Sequence, residues 1–287
     1  MLRSIRRSPS LPAWLLLLPN TLWLALFFLL PLFVVLAYSF MQRATFGGIV
    51  AAFTLENYSR AFDPLYFNAL LRSIYIAAVT TLICLGVAYP IAYFLATRAR
   101  QYRNTLILAL MLPFWTNFLI RTYAWLTLLR TNTGLINSAL LSLGLIDDPL
   151  PLFGNDFAII LGLVYSWLPT MILPVYAALE RLDRRLLEAA ADLYASKFQS
   201  FCRVIWPLSL PGVAAGSILV FIPSLGAFVT PTLLGGGKSL MIGNIISNQF
   251  LTAQDWPFGS ALSMLMITLM LLGTVCYFRL ANRQNQI

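Results

Sequence analysis

Ten carboxylates, three scattered cysteines and a large aromatic population are the groups in this sequence able to do chemistry; histidine is absent. Lacking imidazole, the chain cannot be a histidine-dependent hydrolase. Cys84, Cys202 and Cys276 lie far apart in sequence, which supports neither a disulfide framework nor a Cys/His metal site. No catalytic residue and no metal-ligand set is assigned. The stretch LGGGKS, Leu234 to Ser239, imitates a phosphate-binding loop, but that motif requires glycine at position 232, where Thr232 stands. It reads as a glycine-rich turn, and the chain contains no ATPase motor of its own.

The segment with the best-defined working face runs from Glu180 to Gly212. Leu182, Leu186, Ala189, Ala190 and Leu193 recur at helical spacing, with Arg181, Arg185, Glu188 and Asp192 opposite them. Such a helix lies either on lipid or on a protein. A lipid-lying helix usually has a richly basic polar face. Glu188 and Asp192 interrupt that face, which favours a protein partner.

The elements that position this segment follow from composition. Of 287 residues, 60% are hydrophobic and 10% charged, whereas soluble domains carry about 25% charged residues. A bilayer supplies the apolar solvent that one water-soluble core could not. Windows of about 20 apolar residues place six spans at roughly Leu15–Leu36, Ser73–Leu95, Thr105–Leu129, Phe157–Ala178, Leu210–Leu234 and Phe258–Phe278. Pro31, Pro90, Pro113, Pro169, Pro174 and Pro223 fall inside them as tolerated kinks. Arg3, Arg6 and Arg7 before the first run resemble a signal peptide, but the run is too long and no small-x-small site follows, so an uncleaved first helix is expected.

The net charge of +9 sits in short clusters between these runs, which points to membrane topology and not to nucleic acid. Arg3, Arg6, Arg7, Arg98, Arg100, Arg103, Arg181, Arg184, Arg185, Lys197, Arg203, Arg279 and Arg283 share one side. Arg43, Arg60, Arg72, Arg121, Arg130 and Lys238 fall on the other, with the span ends. The twofold bias expects both termini in the cytoplasm. Glu56, Asp63, Asp147, Asp148, Asp156 and Asp255 then lie outside, and Glu180, Asp183, Glu188 and Asp192 inside. No acid falls in a span core. Ion-coupled pumps usually keep ionisable groups at membrane depth, so the energy is expected to enter from elsewhere.

Glu188-Ala189-Ala190, followed by a helical stretch to Trp206-Pro207, resembles the EAA loop of ABC importer permeases. Glu188, Ala189, Ala190 and Pro207 match that pattern, and Val204 stands for its isoleucine. Tyr194 occupies the usual glycine position and Trp206 the leucine. Further segments, Leu112–Leu126, Gly134–Asn137 and Phe221–Gly237, are similar to the spermidine/putrescine permease subfamily. The resemblance implies an all-α membrane protein of the type I importer fold. Residues 1–68 would form a cytoplasmic tail, first helix and external loop, residues 69–279 a five-helix core with the coupling loop at 180–212, and residues 280–287 a cytoplasmic tail. It also implies a multi-pass protein of a bacterial-type inner membrane. The expected partners are two cytoplasmic ATPase subunits, a second homologous permease subunit, an external (periplasmic) substrate-binding protein and membrane lipid, with no nucleic acid. ATP and Mg would bind the partner ATPase, and no cofactor this chain. Glu188, Ala189, Ala190, Tyr194 and Pro207 would couple it to that motor. Tyr194 leaves the turn after the first coupling helix in question, since glycine alone adopts positive φ cheaply.

A polyamine path needs carboxylates or aromatic faces. With no acid in the span cores, Trp115, Tyr123, Trp125, Tyr165, Trp167 and Phe228 are the candidate lining, although lipid contact and interfacial belts use the same residue types. Counted along a straight third helix at 1.5 Å per residue, Arg121 lies about 25 Å from Asn104, near the outer interface, where snorkelling would account for it. Other cargoes of related importers (ferric iron, thiamine) and a stand-alone secondary carrier are the alternative readings.

Overall fold

The computed structural model describes residues 13–45, 47–98, 101–237 and 240–284. Arg3, Arg6, Arg7, Arg100 and Lys238, used above for orientation, lie outside the described residues. The chain divides into two compact units: Met1–Phe62 with Asn248–Ile267, and Asp63–Ser247 with Thr268–Ile287.

In the first unit, α1 (Ala13–Leu24) continues through a π-helical turn, Ala25–Leu29, into α2 (Leu30–Ser39). Leu17–Ser39 is apolar enough to cross a membrane, and none of its scored window is buried inside the protein. A helix hydrophobic all round and uncovered by its own chain must be covered by lipid or by a partner. An antiparallel hairpin follows, β1 (Met41–Arg43) with β2 (Ile49–Phe53), in the register Gln42 opposite Val50 and Arg43 opposite Ile49. A short helix, α3 (Glu56–Ala61), folds back on it. Buried Asn57 on α3 donates to the Ser39 and Met41 carbonyls at 3.1 and 2.9 Å, so one side chain closes the backbone where the membrane helix gives way to the hairpin.

The second unit is built on three helices. α4 (Pro64–Thr97) is capped by Asp63, whose carboxylate accepts from the Leu65 N–H at 3.0 Å. It precedes α5 (Arg103–Met111), a 3₁₀ turn at Leu112–Trp115, α6 (Phe118–Leu129) and α7 (Leu135–Ser142). Then come α8 (Asp156–Glu180), α9 (Arg184–Asp192), α10 (Lys197–Ser200) and α11 (Trp206–Leu225). The shorter α12 (Val229–Leu234) and α13 (Ile242–Leu251) follow, and α14 (Trp256–Gln284) begins in the first unit. Among the described residues, five helical stretches are long and apolar enough to span a membrane, and a sixth span would be the bent pair Arg103–Trp115 and Phe118–Leu129.

α4, α8 and α11 enclose the main core. Cys84, Ala88 and Ala92 recur every four residues on α4, and this narrow face packs against Met171, Ile172 and Val175 of α8 and Val213 and Val220 of α11. Small residues allow the close helix approach that membrane interiors use in place of a hydrophobic driving force. Gly212 and Gly216 repeat the device on α11: a Cβ at Gly212 would stand 2.6 Å from the Pro174 carbonyl oxygen and would overlap Ala178. Gly212→Leu should cost roughly 1–3 kcal/mol or more through overpacking. The expected outcome is a several-fold drop in the permease recovered from the membrane, measured by quantitative immunoblot, with Gly86→Leu, in open space, as the tolerated control.

Two ion pairs mark the ends of α8. Arg72 meets Asp156 at 2.6 Å at its start, and Arg103 pairs with Glu180 at its end. Along 25 residues these pairs stand about 36 Å apart, just beyond the hydrocarbon thickness of about 30 Å. The charged residues therefore sit where two opposite membrane surfaces would be.

The third span departs from the expected straight helix. α5 and α6 are bent by 85°. Pro113 opens a 3₁₀ turn, Thr116 is extended (ψ 153°), and Asn117 starts a new helix by accepting the Leu119 N–H at 2.8 Å. Arg121 lies beyond this break, so its depth cannot be counted from Asn104. The fifth span also differs: the helical stretch runs Lys197–Leu225 and ends at Gly226, leaving residues through Leu234 to a separate helix, α12.

Candidate functional site

The loop after α8 forms two short helices separated by one turn. Asp183 caps α9 by accepting the Arg185 N–H at 3.0 Å. Ser196 and Gln199 form a reciprocal capping box at the start of α10. Between them α9 ends in a Schellman turn, with the Ala195 N–H on the Ala190 carbonyl at 3.0 Å and the Tyr194 N–H on the Ala191 carbonyl at 2.9 Å. The residue at its left-handed position is Tyr194, with φ 57°. The turn therefore keeps the geometry a glycine would give, at a steric cost of roughly 1–2 kcal/mol. Two local caps and a closed turn hold the loop's shape without help from glycine.

Glu188, Ala189 and Pro207 are exposed, and Ala190 is half-buried. Glu188 and Asp192, one turn apart, leave α9 with an uncovered acidic strip beside small alanines. α10 runs on through a second π turn, Phe201–Ile205, into α11. Lys197–Leu225 is thus one helical stretch of 29 residues. Its inner part is tied to the core: Ser209 and Tyr89 hydroxyls meet at 2.9 Å, and Trp206 and Phe201 pack against the Tyr89 ring at 5.2 and 5.7 Å.

The candidate path aromatics divide. Trp125 and Tyr165 meet edge to face at 5.5 Å, and Tyr165 stacks on Phe114 at 5.7 Å. Trp167 joins the core with a buried Nε1 that has no hydrogen-bond partner among the described residues. Trp115, Tyr123 and Phe228 are exposed on the unit's surface and enter none of these ring pairs. Arg121 lies over the Phe114 ring at 4.8 Å and near Tyr165 at 6.0 Å, with Nε and Nη1 buried and without a hydrogen-bond partner among the described residues. Its head lies among aromatic faces, where cation–π attraction favours it. Thr80, Ser224 and Thr230 in the same unit add buried hydroxyls without a hydrogen-bond partner among the described residues. Phe114 and these hydroxyls were not singled out in the sequence: Phe114 sits beside the more conspicuous Trp115, and a lone hydroxyl in an apolar run carries no periodic signal.

Helices of membrane-spanning length thus pack around a small-residue core, and a paired-helix loop is continuous with one of them. The chain belongs to the family described as the binding-protein-dependent transport system inner membrane component, whose sequence model matches residues 9–286. It is 46% identical over 264 residues to the spermidine/putrescine transport system permease protein PotB of Escherichia coli (strain K12), covering 92% of this chain and 96% of that one. PotB of Haemophilus influenzae is 43% identical over 268 residues, 92% and 93% of the two chains. The Escherichia coli inner membrane ABC transporter permease protein YdcU is 34% identical over 280 residues, 92% and 88% of the two. Among solved structures, a bacterial ABC transporter importing the acidic polysaccharide alginate superposes with TM-score 0.76 at 17% identity, covering 94% and 95% of the two chains. The MetNI methionine ABC transporter superposes with TM-score 0.58 at 16% identity, covering 77% and 98%. The fold is that of type I ABC importer permeases, and the chain is a multi-pass inner-membrane transport subunit, not an enzyme.

Proposed function

We propose that this chain is the permease through which an ATP-driven importer moves polyamines, spermidine and putrescine, across the inner membrane. The observation that carries the reading is the 46% identity to PotB over nearly all of both chains. The path aromatics and external acids suit a flexible polycation. In the assembly we propose, this permease pairs with a second, related permease subunit, two copies of a cytoplasmic ATPase bind ATP and Mg, and an external binding protein delivers cargo. Glu188, Ala189, Ala190, Tyr194 and Pro207 form the coupling loop. Residues 69–279 form the transport core, between an N-terminal part (1–68) and a cytoplasmic tail (280–287). Closure of the ATPase pair moves α9 and α10, the continuous stretch into α11 transmits the shift, and the core switches between inward- and outward-open states.

Two measurements test this. In vesicles holding the whole complex, uptake should require ATP and the binding protein, and excess spermidine or putrescine should compete it away. Competition by a non-cationic solute alone would remove the polyamine assignment and leave the permease. The orientation, with both termini cytoplasmic, predicts that Asp148→Cys labels from outside in intact cells and Lys197→Cys does not, in a background without the native cysteines. Efficient outside labelling at position 197 would invert the topology.

A further inference from the structure

The backbone between α11 and α12 is broken at Gly226–Phe228. The Gly226 and Ala227 carbonyls accept no backbone hydrogen bond among the described residues. Gly243 of α13 faces both: a Cβ there would stand 2.8 and 2.6 Å from their oxygens, so glycine keeps that space clear. Ser224, two residues before the break, and Thr230, two residues after it, are buried. Neither hydroxyl has a hydrogen-bond partner among the described residues. Ser73, Thr122, Ser166 and Thr232 instead return theirs to the carbonyl four residues back. A Cβ at Gly162 of α8 would stand 2.9 Å from the Thr230 methyl carbon, which sets the break level with Gly162. That is about 9 Å along α8 from Asp156, inside the hydrocarbon and nearer the Arg72–Asp156 end.

Non-helical backbone at membrane depth is tolerated where it is buried in protein or lines a cavity. This break opens outward, since Phe228 is exposed and Gly226 and Ala227 are half-buried. Its partial charge favours a cation: α11, 20 residues long, turns its negative end toward it. The opposing end of α12 is weaker, because that helix has six residues and Pro231 removes one amide donor. A primary ammonium brings three N–H donors to a set of carbonyl and hydroxyl oxygens, and an aromatic face favours its charge. We infer that the α11–α12 break binds an ammonium group of the cargo, with the Gly226 and Ala227 carbonyls and the Ser224 and Thr230 hydroxyls as acceptors and the Phe228 ring at the mouth. The inference rests on the polyamine reading above and adds the groups that replace water around the cation as it enters the permease.

The test uses the complete complex in vesicles with labelled spermidine. Ser224→Ala and Thr230→Val each delete a hydroxyl that no group of the protein satisfies, so the amount of assembled permease should match or exceed the native level. Spermidine moved per ATP hydrolysed should fall about tenfold in each, the usual effect of losing one hydrogen bond to a charged group, and further in the double variant. Thr81→Val is the control: its hydroxyl is bound to the Ala77 carbonyl at 2.7 Å, and uptake should stay native. A photoreactive spermidine carried by the working complex should label residues 221–237 in the native chain and about tenfold less in the double variant. Native uptake in both hydroxyl variants, or labelling only elsewhere, overturns the site and leaves the polyamine permease standing. A drop in assembled permease that accounts for the lost uptake, or an equal loss in Thr81→Val, overturns it too. Failure of the native complex to take up spermidine would remove the polyamine reading, and this site with it.

Discussion

Glu188→Lys should leave the permease in the membrane at near-normal amount while stripping the ATPase from it and abolishing most uptake. Glu188 is exposed on α9 and makes no ion pair or side-chain hydrogen bond among the described residues. Exposed substitutions of this kind usually change folding by within about 0.5 kcal/mol. A charged contact desolvated against a partner is different: losing one member costs on the order of 2–5 kcal/mol, and reversing the sign adds repulsion. A factor of about ten per 1.4 kcal/mol turns that range into a loss of affinity between about 30-fold and several thousandfold. Co-purification of the ATPase with tagged permease, uptake of labelled cargo and an immunoblot of the membrane fraction separate the cases. Absence from the membrane would make Glu188 a folding residue. Normal ATPase binding with native uptake would remove α9 from the coupling path.

Asp255→Ala should loosen the hairpin of the first unit and the start of α14 together. The Asp255 carboxylate is 1% exposed, and two cations converge on it, Arg60 at 3.2 Å and Arg43 at 3.9 Å. Its other oxygen accepts the Phe258 N–H at 3.2 Å, which makes Asp255 the N-cap of α14. Arg60 in turn lies 4.1 Å over the Phe258 ring, and Arg43 donates to the Ala253 carbonyl at 2.6 Å. Alanine removes both functions at once. Arg43 and Arg60 are 47% and 41% exposed, so water takes up the charge that the lost carboxylate leaves and the ion pairs account for about 1 kcal/mol or less, while losing the cap costs about 1 kcal/mol more. Asp255→Asn keeps a good cap and removes only the charge, so the gap between the variants isolates the ion pair. Limited proteolysis of reconstituted permease should cut within residues 40–62 in Asp255→Ala far faster than in the native chain, with Asp255→Asn between them. Equal resistance in all three would show that the carboxylate does not hold the hairpin.

The Asp255 cluster also marks where sequence reasoning stops. Arg43, Arg60 and Asp255 were each assigned to the external side by charge counting, yet nothing in their spacing joins residues 43 and 60 to residue 255. Ion pairing across about 200 residues is a property of the folded path. The same holds for Gly212: the glycines are visible in the sequence, but the Pro174 carbonyl that forbids a side chain there belongs to another helix.

The membrane class, the approximate place of most spans, the acidic-alanine helix at Arg184–Asp192 and the failure of LGGGKS to complete a phosphate-binding motif were legible in the sequence, because these depend on local composition and on period along one helix. Tertiary structure alone decided the rest. A hydropathy window averages over Thr116 and Asn117 and so registers one span where the backbone turns by 85°. Beyond the turn, Arg121 lies over the Phe114 ring at 4.8 Å and near Tyr165 of α8 at 6.0 Å, neighbours that a count along a straight helix does not reveal. Tyr194 is the converse case: its residue type argued against a left-handed turn, and two backbone hydrogen bonds with a cap on either side of the turn outweigh a steric cost of roughly 1–2 kcal/mol. Propensity is set by one residue and its neighbours, whereas conformation is set by the sum of every bond that the turn closes.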